Sequence, residues 1–288
     1  MKLSVESGEL CAKVGYEEGL RLIKEAGFDA VDFSYYGLPA DSPILGDNYR
    51  EYAIKTREFL DEINLECNQA HAPFNLSKTE KFDMSEPHYR EIVRSIESAA
   101  ILGAKSIVVH HVYVPQGETV NGITYEEYNY MFYKSLEPYC KEYGINIAIE
   151  NMFYYDAKKR RHKGMLHTPQ ALKDIIEKLD SPYFIACIDI GHLAIIGEEP
   201  EDVLREMQPS ILKALHVHDN DFLSDRHSLP FTGGINWQNV MDALKNIGYT
   251  GDLTFEICSF VSKMPDVLIS DALKFAQKVG RYLISTFE

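Results

Sequence analysis

Short apolar runs alternate with longer stretches of helical periodicity from one end of the chain to the other, a pattern that predicts parallel βα units rather than hairpins. Lys2 to Glu6 reads as a first strand. Glu17 to Ala26 then sets Leu20, Ile23 and Lys24 at helical spacing before Gly27 ends the turn. Ala30 to Ser34, Leu65 to His71 and Lys105 to His110 follow as strands, each with a helix behind it at Tyr49 to Ile63, Pro87 to Leu102 and Tyr125 to Tyr143. Gly103 and Gly144 stop the last two helices. The second half continues with strands ending near Glu150, Asp189, His218 and Glu256, interleaved with helices at Thr168 to Leu179, Pro200 to Met207, Trp237 to Ile247 and Pro265 to Leu283. Thr168-Pro169 is a helix start, a capping hydroxyl followed by proline at the first helical position. About eight such units close a (β/α)8 TIM barrel. An open doubly wound sheet fits less well, because no glycine-rich phosphate loop follows the first strand.

Four of the runs end abruptly in an ionisable group: Ile145 to Glu150, Tyr183 to Asp189, Ile211 to His218 and Leu253 to Glu256. A buried strand ending this way is costly unless the group faces a polar cavity, another charge or a metal. Barrel active sites lie at the C-terminal strand ends, and these strands are neighbours in barrel order. Glu150, Asp189, His218 and Glu256 are therefore expected to converge. Three adjacent carboxylates would repel one another until one protonates, and a divalent cation removes that conflict. The oxygen and nitrogen donors suit manganese, magnesium, cobalt or zinc.

Composition narrows the partners. At 288 residues and 45% hydrophobic content the chain can bury a large core, so one domain over residues 1-288 is expected. A net charge of -15, from 44 acidic and 29 basic residues, opposes attraction to nucleic acid or anionic membranes and favours a small-molecule substrate. Cys11, Cys67, Cys140, Cys187 and Cys258 are widely spaced, odd in number and without a CxxC pair, which reads as reduced thiols in a cytoplasmic protein. Neither a signal peptide nor a membrane span is expected. The composition is compatible with a homo-oligomer.

Ala148-Ile149-Glu150-Asn151, Cys187-Ile188-Asp189-Ile190-Gly191-His192, His216-Val217-His218-Asp219-Asn220 and Thr254-Phe255-Glu256 resemble the signature pieces of the xylose-isomerase-like TIM-barrel superfamily. The resemblance spans essentially the whole chain. The group includes sugar isomerases, ketose 3-epimerases, inosose dehydratases and endonuclease IV. In its epimerase branch the resemblance implies that Glu150, Asp189, His218 and Glu256 bind one metal, that Glu150 and Glu256 also exchange substrate protons, and that His192 orients a substrate oxygen. The chemistry is metal polarisation of a ketose carbonyl, which lets a carboxylate remove the neighbouring carbon-bound proton. The implied substrate is a small sugar, ketose or sugar phosphate, within carbohydrate metabolism.

A further set, His71, His110, His192, Asp225 and His227, resembles the additional ligands of endonuclease IV, which uses three zinc ions. One ion or several therefore stays open, and with it a multi-zinc phosphodiesterase acting on abasic DNA. The absence of lysine and arginine between Phe33 and Arg50 argues against a DNA-binding rim. The basic run Lys158, Lys159, Arg160 and Arg161, in the loop after Glu150, is either a solvated loop or a holder for a substrate phosphate or carboxylate.

Overall fold

Because a strand covered on both faces has no solvent side, its sequence is a nearly continuous apolar run, and the strands here are buried along almost their whole length. The computed structural model describes residues 1–36, 38, 42–74, 81–112, 119–120 and 122–287, so part of the loop between Phe33 and Arg50 lies outside the described residues. Eight parallel strands form the barrel: β1 (Leu3–Glu6), β2 (Ala30–Ser34), β3 (Glu66–His71), β4 (Ser106–Val108), β5 (Asn146–Glu150), β8 (Phe184–Asp189), β9 (Leu212–His216) and β10 (Leu253–Phe255). Their order is β10-β1-β2-β3-β4-β5-β8-β9. The ring closes where Val217 N donates to Thr254 O at 2.9 Å and Glu256 N to Val217 O at 3.1 Å.

The main outer helices are α2 (Tyr16–Ala26), α3 (Tyr49–Glu62), α4 (Pro87–Leu102), α5 (Tyr125–Tyr143), α6 (Pro169–Leu179), α8 (Pro200–Glu206), α9 (Trp237–Asn246) and α11 (Asp266–Phe287). Their ends follow local chemistry. Thr168 Oγ1 accepts Ala171 N, Pro169 and Pro200 sit in first turns, and Gly27, Gly103 and Gly144 take left-handed conformations after the last turns. Most of the core lies between strands and helices, while Val108, Ala148, Ile185, Cys187 and Ala214 form a separate plug inside the barrel. All five cysteines are free. No helix among the described residues is long and apolar enough to cross a membrane.

Two register shifts decide what faces inward. On β3 the pairing steps from Val31↔Cys67 to Asp32↔Gln69, leaving Asn68 as the extra residue. On β9 it steps from Ala186↔Leu212 to Cys187↔Ala214, leaving Lys213 extra and pointing outward. Each bulge resets the two-residue alternation and re-aims the residues that follow. Gln69, His71 and His216 all face the interior as a result.

The structure departs from the sequence pattern after β5. An antiparallel hairpin, β6 (Met152–Asp156) with β7 (Arg161–Met165), occupies what reads as a loop. Both strands are half-buried without clean alternation, so neither carries a strand signal. Three short helices, α1 (Gly8–Val14), α7 (Ile190–Ile195) and α10 (Cys258–Ser262), were also not legible, being too short to show a helical period.

Candidate metal centre

Glu150 and Asp189 are the last residues of β5 and β8, His216 is the last of β9, and Glu256 directly follows β10. One ligand atom from each lies within 4.8 Å of the others. His216 Nδ1 stands 2.9 Å from Glu150 Oε1, 3.5 Å from Glu256 Oε2 and 3.9 Å from Asp189 Oδ2. The three carboxylates expected at the rim do meet, but their imidazole partner is His216. His218, which the sequence pattern puts in this group, is not part of it. The reason is strand geometry: residues two apart share a face, so both histidines point inward, and at about 3.3 Å per residue they occupy successive layers.

His218 belongs to the next layer, with His192, Asp225 and His227. Its Nε2 lies 3.1 Å from Asp189 Oδ1 and 3.6 Å from Asp225 Oδ1, and its ring stacks on His227 at 4.4 Å between centroids. Gly191 makes room for it, because a Cβ there would overlap the His218 ring. A third group, His71, His110 and Glu150, adjoins the first through Glu150, whose Oε2 lies 2.7 Å from His110 Nε2. Glu150 turns one oxygen to His216 and the other to His110, whereas both oxygens of Asp189 lie within 3.2 Å of His218 Nε2, with Oδ2 also 3.9 Å from His216.

Charge balance in the centre is severe. Burial pushes the Glu150 carboxyl up, but His216 and His110 outweigh it and hold the group well below the usual carboxylate range. Asp189 behaves alike: burial opposes ionisation, yet His192 and His218 bring it down to about 2. The Asp225 carboxyl is likewise held low, against its burial, by His192 and His227. Conversely, burial disfavours the charged form of His227, while Glu256 and Asp225 raise it to about 10. These ionised carboxylates demand compensating positive charge. Glu256 Oε2 is buried without a hydrogen-bond partner among the described residues and faces the centre 3.5 Å from His216 Nδ1, an acceptor left open to a cation.

Two supporting residues, Asn151 and Asp219, lie in the segments that carry the resemblance and brace the ligand groups without joining them. Asn151 clamps β5 to β8, donating to Asp189 O at 3.0 Å and accepting from Asp189 N at 2.7 Å. Its carbonyl lies 3.0 Å from His192 Nδ1 and fixes that ring. Asp219 organises the loop that bears Asp225 and His227. Trp237, the first residue of α9, is buried and donates its indole N–H to Asp219 Oδ2 at 2.9 Å.

The basic run lies apart from these groups. Lys158, Lys159 and Arg160 form the tip of the β6–β7 hairpin, and Arg161 opens β7. Beneath the hairpin is a cavity of about 1200 Å³, lined by Tyr154, Arg161, His167, Ile175, Ile195 and Phe222 among others. None of the residues of the three groups lines it. The two regions share a wall, since α7 carries His192 in its middle and Ile195 at its C-terminal end, and the Phe153 ring packs edge-on to His192 at 5.0 Å. Of the four cations in the run, Arg161 is the one that reaches the cavity.

A family described as xylose isomerase-like TIM barrel matches the chain over residues 20–279. The uncharacterized protein MJ1311 of Methanocaldococcus jannaschii is 29% identical over 227 residues, covering 74% of this chain and 69% of that one. Among solved structures, a D-tagatose 3-epimerase-like protein superposes with a TM-score of 0.73 at 23% identity, covering 100% of this chain and 98% of its own. The IolI protein with a bound zinc atom superposes with a TM-score of 0.75 at 17% identity, covering 100% and 99%. These two share the fold.

Proposed function

The chain belongs to the xylose isomerase-like TIM-barrel family, and from that premise we propose that it is a divalent-metal-dependent isomerase or epimerase of a small sugar, ketose or sugar phosphate. The observation that carries this reading is the group at the rim, in which two glutamates, Glu150 and Glu256, share one ligand cluster with Asp189 and His216. The epimerase-like and zinc-bearing structural neighbours support it.

Glu150, Asp189, His216 and Glu256 would hold the ion, and three oxygen donors with one imidazole suit manganese, zinc, cobalt or magnesium. Once bound, the ion supplies Lewis-acid polarisation of the substrate carbonyl, which acidifies the adjacent carbon-bound hydrogen. One glutamate then removes that proton and the other returns a proton to the opposite face or to the neighbouring carbon. His110, 2.7 Å from Glu150 Oε2, gives a proton taken by Glu150 a place to go. His192 lies on the side of the centre facing the hairpin, where it can orient a substrate hydroxyl. Arg161 and the cavity beside it can take an anionic end of the substrate. The reading is tested by incubating the metal-loaded protein with ketoses and ketose phosphates in deuterated water. Deuterium at a carbon next to the carbonyl is the expected result; no exchange across the panel would count against it.

One observation favours a second reading. The three ligand groups adjoin one another, bringing together His71, His110, Glu150, Asp189, His192, His216, Asp225, His227 and Glu256, with His216 in the place the sequence pattern gives to His218, as a multi-zinc phosphodiesterase of the endonuclease IV type would need. The net charge of -15 opposes a DNA substrate. Three tightly held zinc ions together with incision of abasic duplex DNA would favour this reading over the isomerase.

The order of the two histidines gives a separate check. His216→Ala is expected to weaken Mn²⁺ binding at the central group by ~100-fold or more, since even outer partners of a metal ligand are worth about 10–100-fold. His218→Ala is expected to leave that ion in place. Titration calorimetry distinguishes them, and equal losses in both variants would overturn the assignment.

A further inference from the structure

The final helix, α11, buries Ile269, Leu273, Ala276 and Leu283 on its inward side. Its outward side should then be polar, but one line along it is apolar. Leu268, Phe275 and Tyr282 recur every seven residues, two helical turns apart, and all three are exposed. Phe231, from the loop before α9, joins this line where its ring packs edge-on to Tyr282 at 5.8 Å between centroids. The Phe231 backbone holds φ at 73°, a left-handed conformation that a bulky residue rarely adopts, yet the ring it places is 54% exposed. Single apolar side chains on a surface mean little, whereas a continuous line of them marks a contact.

A charged line runs beside the apolar one. Asp271, Lys274 and Lys278 are exposed and make no ion pair among the described residues. Asp271 and Lys278 stand two turns apart, about 10 Å along the axis, too far to pair with each other. Two such lines select how a second copy of the helix can lie on this face. A two-fold axis crossing the helices at Phe275, near the middle of α11, runs them antiparallel and lays apolar line on apolar line. Phe275 then meets its own copy, and Leu268 meets Tyr282 of the second copy. The same axis sets Asp271 opposite Lys278 of the second copy, twice by symmetry. A two-fold axis along the helices would instead lay the charged line on the apolar one.

We propose that the outward face of α11, with Phe231, is the interface of a homodimer in which the two copies of α11 pack antiparallel about Phe275. Repulsion between copies is small here: in a chain of net charge -15, the stripe carries one carboxylate and two ammonium groups. Val267 and Leu268 of the second copy, exposed in a single chain, fill the angle between Tyr282 and Phe231. That contact reaches the ligand groups through the loop over residues 219–235, which carries Asp225 and His227. The loop is held from inside by the Asp219 carboxylate, which accepts Phe231 N at 2.9 Å, and from outside by the covered Phe231 ring. The interface is independent of the reaction the site performs.

Sedimentation velocity of the full chain at micromolar concentration is expected to give twice the 32.9 kDa chain mass. Phe275→Glu sets two carboxylates against each other at the two-fold axis and should raise the dimer dissociation constant at least ~100-fold, since a central aromatic carries much of an interface. Phe275 is exposed in the single chain, so circular dichroism of the variant should match wild type. Asp271→Lys and Lys278→Asp, each alone, put like charges opposite each other and should weaken association about 10-fold. The two reversals together restore the pairing and should recover wild-type association. A wild type that is monomeric at every concentration would give this face to another partner and overturn the proposal, as would a dimer indifferent to Phe275→Glu. Single reversals without effect, or a double reversal that fails to recover association, would overturn the antiparallel packing.

Discussion

Glu150→Gln is expected to lower turnover by about 10²–10⁴-fold, the range that a positioned acid–base group supplies, and to abolish exchange of the substrate's carbon-bound proton with solvent. Glutamine keeps the shape of the side chain, but its amide cannot take the proton. It also leaves His110 and His216 without the carboxylate that each now faces at 2.7 and 2.9 Å. Metal content should therefore be measured beside exchange, so that a lost ion is not mistaken for a lost base. Glu256→Gln separates the effects better. Glu256 is the more exposed of the two, and its Oε2 has no hydrogen-bond partner among the described residues, so less structure depends on it. Exchange followed by mass spectrometry in deuterated water should fall in both variants. Retained exchange in both would eliminate Glu150 and Glu256 as the proton-transfer pair.

How far the sequence could be read depended on which physical signal each residue left in it. Barrel strands buried on both faces leave continuous apolar runs, and helix ends leave proline, threonine and glycine at defined positions. That is why Pro87–Leu102 and Tyr125–Tyr143 are legible to the residue. The carboxylates were equally plain, because Glu150, Asp189 and Glu256 each interrupt such a run at its end. His216 was obscured by His218, which shares its face, and the bulge at Lys213 that sets their register leaves no trace in composition. The hairpin was missed for the opposite reason. Met152–Asp156 and Arg161–Met165 are mostly half-buried on both faces, and their residues satisfy no periodicity. Asn151 and Asp219 fall inside the segments that carry the resemblance, yet only their three-dimensional partners show that one clamps β5 to β8 and the other pins the loop beyond His218.

Asp219 should have the largest effect on stability. Its side chain is fully buried, and each oxygen accepts two N–H groups: Oδ1 those of Asn220 at 3.0 Å and Ile235 at 3.2 Å, Oδ2 those of Phe231 and the Trp237 indole, both at 2.9 Å. Its backbone pairs with Ser228 in both directions. A Cβ at Gly233 would collide with this carboxylate, so the loop wraps it closely. The segment pinned in this way carries Asp225 and His227 to the upper ligand group. Asp219→Ala would strand these donors in the interior. At about 1–3 kcal/mol for each buried donor left unpaired, and with water reaching some of them, the expected loss is about 3–5 kcal/mol. That is a large part of the ~5–15 kcal/mol that stabilises a domain, and it corresponds to a fall of roughly 10 °C in melting temperature for a chain of this size. Asp219→Asn retains one accepting oxygen and should lose about half as much. Thermal unfolding of the metal-free variants measures the loss, and zinc stoichiometry of the folded protein reports whether Asp225 and His227 still reach their group. A melting temperature unchanged in Asp219→Ala would show that the loop is held by its backbone pairing with Ser228 and by the packing of Trp237, and that the carboxylate adds little.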